Sequence, residues 1–256
     1  WSRREPLISP DQLKVRHLFG IPMYSAIPDP VTQVRAQLTN ENLKDEIVRA
    51  AGRVEVETGL TILPVQRNTK MPFDRVQYLN LGYMVMPHRP VLKIISIAVA
   101  SANQELIYAI PNEWVDMGNA HRGQINVLPL QPAYLNSGYL PSQQAGGAAF
   151  LSILGARGWI PSYWLVDYVT GFDESGLPTV VNDLIGTEAA IAVLGLLGAT
   201  NRVSSHSLGI DAMSQSVSTA GPQVYQGRIQ ELAEQKKILV GKVKALYQNR
   251  IFSDHV

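Results

Sequence analysis

An α+β fold, with a helical bundle core, an inserted antiparallel strand-rich region and extended arms, is what the sequence predicts. Three observations carry it. A capped amphipathic helix opens at Asn40 and stops at Gly59. Short β-branched and aromatic runs between turn signals fill residues 61 to 130. Two long helical segments, one apolar on most sides and one amphipathic, close the chain after residue 178. On this order the chain divides into an N-terminal arm at 1–39, a helical core at 40–60 and 163–256, and a strand-rich insertion with a long loop at 61–162.

The first thirty residues carry Pro6, Pro10, Pro22, Pro28 and Pro30 and read as an arm. Within them only SPDQLKVRHLF is a short helix, with Ser9 as N-cap and Pro10 at its first position. NENLKDEIVRAAGRVEVETG then sets Leu43, Ile47, Ala50, Ala51 and Val54 at helical spacing, with Asn40 as cap, Glu41 in the first turn and Gly59 as stop.

The strand region contains RPVLKIISIAVAS, the turn SANQ and ELIYAI, then PNEWVDM, the turn GNAHRG and QINVLPL. Pro87, Pro90, Pro111 and Pro129 bound these runs and do not interrupt them, as a hydrogen-bonded ladder requires. Residues 131–162, with the small-residue run QQAGGAAF, form a long loop of the kind that is functional or ordered against a partner. A further strand, YWLVDYVTGF, leads through DESGLP into TVVNDLIGTEAAIAVLGLLGA, an apolar helix suited to the centre of a core.

The last segment, YQGRIQELAEQKKILVGKVKALYQNRIF, places Ile229, Leu232, Leu239, Val243, Leu246 and Tyr247 along one stripe. After Glu231 and Glu234 its charges are all basic: Lys236, Lys237, Lys242, Lys244 and Arg250, with Arg228 ahead of them. Cations toward a helix C-terminus suit the macrodipole and keep a surface helix soluble. The same residues facing phosphate backbone or an acidic partner would make a sequence-independent, salt-sensitive contact. Between the two long helices lies SSHSLGIDAMSQSVSTAG, which by itself reads as a serine-rich linker that leaves Leu208, Ile210, Met213 and Val217 unexplained.

Composition narrows the chemistry. The 256 residues carry a formal net charge of +1, so attraction to nucleic acid has to come from local clustering. The absence of cysteine removes disulfides and thiolate metal sites and fits a reducing cytoplasm. WSRREPLISP has no signal-peptide pattern, and AAIAVLGLLGA falls short of the ~20 residues of a membrane span, so a soluble protein with no membrane partner is expected.

His17, His88, His121, His206 and His255 are scattered, without the paired spacing of a zinc site. No nucleophile elbow or phosphate-binding loop is present, and QQAGGAAF lacks the lysine a phosphate loop needs. The acids at 173 and 174 sit in a turn, and His206 with Asp211 lacks the rigid setting of a nucleophilic site. Trp1, Trp114, Trp159 and Trp164 fit cores or interfaces. No catalytic residue, cofactor or metal is expected.

The order of the elements is more informative than any one motif. The helix ending in ETGL, RPVLKIISIAVAS, YAIPNEWVDMGNAHRGQINVLP, VDYVTGF with LPTVVNDLIGTEAAIAVLGLLG, GIDAMSQSVSTAG and YQGRIQELAEQKKILVGKVKALY together resemble the head-to-tail connector, or adaptor, proteins of tailed bacteriophages, over roughly residues 40–250. This chain differs from the small adaptors in its larger strand region and its extra loop at 131–162.

The resemblance implies a non-enzymatic virion protein of the neck, assembled in the host cytoplasm. It implies a ring of about twelve copies that joins the portal protein to a tail or stopper protein and lines the channel through which double-stranded DNA passes without sequence specificity. Arg228, Lys236, Lys237, Lys242, Lys244 and Arg250 become candidates for portal docking or the DNA lumen, and Leu208, Ile210, Met213 and Val217 for an inter-subunit arm. A stopper or tail-completion protein is the nearest alternative. A hydrolase or saccharide-binding module around Trp159, Tyr163, Trp164 and Asp167 is a more distant one.

Overall fold

The computed structural model describes residues 8–24, 35, 37–72, 83–101, 106–127, 162–173, 177–200, 206–210, 213–217 and 225–248. Of the loop expected at 131–162 all but Ser162, which opens a strand, lies outside them, as do Trp1, Trp159 and Arg250. The fold is mixed α+β, and the chain divides into two compact units. One comprises Trp1–Thr58 with Ser175–Ala245, the other Gly59–Glu174 with Leu246–Val256.

The first unit holds helices α1 (Pro10–Arg16), α2 (Asn40–Thr58), α3 (Thr179–Thr200) and most of α4 (Gln226–Tyr247). Ser9 caps α1 as expected: its hydroxyl accepts from the Gln12 N–H at 3.1 Å, and the Gln12 side chain accepts from the Ser9 N–H at 3.2 Å. Part of the expected arm is therefore not an arm. Ile8, Leu13 and Leu18 are buried, because a one-sided apolar helix lowers its free energy by covering that side.

The cap of α2 is Thr39, one residue before the expected Asn40. Thr39 Oγ1 accepts from the Asn42 N–H at 3.3 Å while Asn42 Oδ1 accepts from the Thr39 N–H at 3.0 Å, a reciprocal pair that leaves Asn40 Oδ1 to accept from Lys14 Nζ at 2.6 Å. Gly59, at φ +69°, ends the helix in the left-handed conformation its sequence position suggests.

Helix α3 is long and apolar enough to cross a membrane by length and composition alone. Its Val181, Leu184, Ile185, Ala189, Ala190, Val193 and Leu194 are nevertheless fully buried, the pattern of a core helix. Glycine makes a close approach possible at one point. A Cβ on Gly186 would lie 2.5 Å from His17 Nε2 and 3.0 Å from Ile8 Cδ1, so the missing methyl is the space those two side chains fill.

In the second unit, β1 (Val65–Pro72), β7 (Ser162–Thr170), β3 (Val91–Ser101) and β4 (Leu106–Ile110) form an antiparallel sheet in that order. Short strands β2 (Met84–Val85), β6 (Gln124–Val127) and β5 (Val115–Asp116) form a second sheet. The boundary placed at 163 by sequence order falls elsewhere in space. Strand β7 pairs with both β1 and β3 along its length, so it stands inside the sheet and not with the helices that follow it.

Along β7, buried Trp164, Val166 and Tyr168 alternate with half-buried Leu165, Asp167 and Val169, the period-two pattern of a sheet with one covered face. The buried set packs with Ile94, Ile97, Val99, Ile110, Trp114 and Ile125. Gly171, at φ +112°, lets the chain leave β7 where a Cβ would stand 2.6 Å from the Leu63 carbonyl oxygen. Leu246 and Tyr247 belong to this unit: Arg122 Nε donates to the Leu246 carbonyl at 3.3 Å, and the Tyr247 ring meets Phe172 edge-on at 5.6 Å.

The remaining pair, β8 (His206–Ile210) and β9 (Met213–Val217), is an antiparallel hairpin within the serine-rich stretch. The serine-rich stretch that reads as a linker thus contains a two-stranded ribbon.

Candidate functional site

Helix α4 carries the expected basic residues, and its geometry separates them. At about 100° per residue, Lys237 and Lys244 lie within roughly 20° of each other around the axis, while Lys242 is about 140° away from Lys237. Leu232, Val240 and Val243 form the buried stripe, whereas Leu246, expected on it, is exposed. These lysines therefore do not share one basic face.

Lys236 points inward. Its ammonium lies 2.8 Å from Glu57 on α2 and 3.0 Å from Glu188 on α3, and Glu188 also accepts from Arg53 Nε at 2.6 Å. Burial alone would lower the Lys236 pKa, but the hydrogen bonds and charges of Glu57 and Glu188 together outweigh it and leave the pKa above its ordinary value of 10.5. A lysine held charged by two carboxylates in this way joins three helices. The expected outward contact for Lys236 is thereby corrected: its charge is already engaged within the chain.

Arg228 is likewise bonded along its own helix, to Glu231 at 2.6 Å. Lys237 and Lys242 are exposed, Lys244 is half-buried, and none of the three is in an ion pair among the described residues. These three remain as outward-facing candidates.

Arg53, Glu57 and Glu188 are functional-looking residues that sequence reasoning missed. A signal is present for Glu188, the one acid inside the apolar run LIGTEAAIAVL: a carboxylate in such a helix needs a partner.

In the hairpin, the register pairs His206 with Val217, Leu208 with Gln215 and Ile210 with Met213. By register, His206, Leu208, Ile210, Met213, Gln215 and Val217 occupy one set of alternating positions, and Ser207, Gly209, Ser214 and Ser216 the other.

The aromatic residues of β7 do not form a platform. Trp164 is 3% exposed and belongs to the core, on the opposite face from Tyr163. Tyr163 lies beneath Lys70, whose ammonium is 4.1 Å from the ring centroid. Asp167, the acid of the hydrolase alternative, accepts from Asn68 Nδ2 at 2.6 Å and Ser96 Oγ at 3.2 Å, a satisfied cross-strand row.

Among the described residues no group of three metal-ligating side chains forms. The described histidines with shifted pKa move down: His17, His88 and His121 all lie below 6.5, in each case chiefly because burial disfavours the charged ring. At His17, Asp183 pulls the other way, while Arg16 and Arg228 add to the lowering.

No family model matches the sequence, and no curated protein matches it either. Among solved structures, the chain is similar to one from the neck of an empty gene transfer agent particle with C6 symmetry, at 14% identity and a TM-score of 0.41, covering 96% of this chain and 92% of that one. A chain of the virion of a native gene transfer agent particle gives 12% identity and 0.39 over the same shares, 96% and 92%. A chain of the native particle's neck with C12 symmetry gives 14% identity and 0.34, covering 82% and 84%.

Proposed function

We propose that the chain is a non-catalytic structural protein of a phage-like neck, which assembles as a ring of about twelve copies joining the portal to the tail around the DNA exit channel. One observation carries the reading: the order of elements on which the connector resemblance rests is the order the folded chain has. A capped helix gives way at Gly59 to a strand-rich unit, and the helical unit resumes at Ser175 with a buried helix, a short hairpin and a long amphipathic helix.

The parts have separate roles in this reading. Lys237 and Lys244 are the pair for the DNA lumen or the portal, at a charge density low enough to guide a duplex without holding it. The hairpin, with Leu208, Ile210, Met213 and Val217, is the inter-subunit arm, and a tail or stopper protein is met by the strand-rich unit. Arg250 lies outside the described residues and keeps the same proposed role as Lys237.

Electron microscopy of the purified full chain mixed with its portal tests the reading. Rings capping the portal are expected. A chain that stays monomeric and never caps portal rings excludes it. Labelling of DNA-filled heads that lack tails separates a connector, already present on them, from a stopper or tail-completion protein.

A further inference from the structure

Two helices of the first unit present apolar ridges to solvent. On α2, Val48 and Val56 are 63% and 88% exposed, and on α4 Ile238 is 60% exposed. Each ridge also contains a glycine, Gly52 or Gly241, with nothing within 4 Å of the position its Cβ would occupy. Glycine inside a helix is destabilising relative to alanine, and no neighbour among the described residues requires it there. Both ridges fit a surface that is covered only on assembly.

Charge identifies the cover. Asp45 precedes Val48 on α2, and Lys242 follows Ile238 on α4. Both are exposed, and neither is in an ion pair among the described residues. At 1.5 Å per residue, Asp45 to Val48 spans about 4.5 Å and Lys242 to Ile238 about 6 Å. An antiparallel pairing that sets Asp45 against Lys242 therefore brings Val48 against Ile238. It also brings Glu234 toward the Arg49 and Arg53 end of α2 and opposes the two helix dipoles. A parallel pairing would set Asp45 beside Glu231 and Glu234, like against like.

We infer that α2 of one copy packs antiparallel on α4 of the next, with Asp45 on Lys242 and Val48 on Ile238. The occupant is a second copy because both complementary halves are carried by one chain on two different helices. A contact between unlike faces is heterologous: each copy offers one of each, and a closing rotation makes a ring. Lys242 thus belongs to the seam between copies, and Lys237 with Lys244, on another side of α4, is left for the lumen. This inference rests on the ring reading and adds to it the residues of the seam.

The test is sedimentation velocity on the full chain with Asp45→Lys, Lys242→Asp, their equimolar mixture and the double variant, with helix content checked by circular dichroism. Each single variant should weaken self-association at least about tenfold, since it places like charges together. The mixture should reassemble, because the lysine introduced on α2 of one variant then meets the aspartate introduced on α4 of the other, while the second seam pairs the unaltered residues. The double variant should reassemble too. If the wild type forms rings and both single variants form them equally well, or if neither mixture nor double variant recovers, the seam is wrong and the ring reading stands. If the single variants self-associate normally but no longer cap portal rings, the ridges serve the portal and the seam is wrong. A wild type that stays monomeric even with portal rings overturns both readings.

Discussion

The helical unit and the strand-rich unit hold their polar groups in opposite ways. In the strand unit the polar row Asn68, Asp167 and Ser96 lies across the outer face of the sheet, satisfied by immediate cross-strand neighbours, while the interior is apolar and aromatic. In the helical unit one buried carboxylate, Glu188, holds Lys236 and the outer Arg53, Lys236 also reaches the exposed Glu57, and Val48, Val56 and Ile238 stand exposed. The strand unit has an aromatic and aliphatic core of its own, yet Leu63, Leu92, Ile95 and Leu106 stand exposed on it as well.

The contrast predicts a large loss where the strand unit is apolar. Trp164→Ala should cost about 3–5 kcal/mol, read from urea denaturation, because the indole is fully packed in the core. Were Trp164 a ligand platform, truncation would leave stability nearly unchanged and abolish binding. Asp167→Ala, on the same strand but the outer face, should cost under about 1 kcal/mol, since water replaces its partners.

In the helical unit the sensitive residue is charged. Glu188→Ala leaves Arg53 without its acceptor and Lys236 with Glu57 alone, and should cost about 2 kcal/mol, less than for a fully buried pair because the Arg53 side chain is 44% exposed. Glu188→Ala with Lys236→Met should recover part of that loss. If both variants prove as stable as the wild type, the three-helix network has no energetic weight, and Lys236 returns to the outward-facing candidates.

What is legible in the sequence is local. Ser9 and Pro10 identify the start of α1, and Gly59 the end of α2, because caps are decided by residues within one turn. The one-residue shift to Thr39 is also local: two residues that can both cap stand side by side, and the choice depends on which finds a return bond from Asn42. Non-local relations are hidden. Sequence order groups β7 with the helices it precedes, yet its partner Asn68 lies ninety-nine positions before Asp167. Lys236 reads as outward-facing in sequence because the acids that hold it, Glu57 and Glu188, are on other helices. The lysines of α4 share a stretch of sequence without sharing a face.

A smaller effect sharpens the comparison at one buried side chain of the first unit whose ring nitrogen lacks a hydrogen-bond partner. His17 is 8% exposed, its Nε2 has no hydrogen-bond partner among the described residues, and the ring lies over Gly186. Gly186→Ala should cost about 1–3 kcal/mol by overpacking that ring. In a His17→Ala background the same change should be neutral or stabilising by up to about 1 kcal/mol, the ordinary helical preference for alanine. The linkage follows from direction: burial holds the folded His17 pKa below 6.5, so the unfolded chain binds the proton first. Stability is then fully present above about pH 6.5 and declines as the pH falls from there toward the folded pKa, below which no further loss comes from this group. His88 and His121 shift the same way and add to the slope. His17→Phe should therefore flatten, without abolishing, the acid limb of a stability profile measured by urea titration between about pH 7 and 5. An unchanged acid limb would mean that the imidazole is solvated enough to charge freely, and that the space made by Gly186 has no electrostatic consequence.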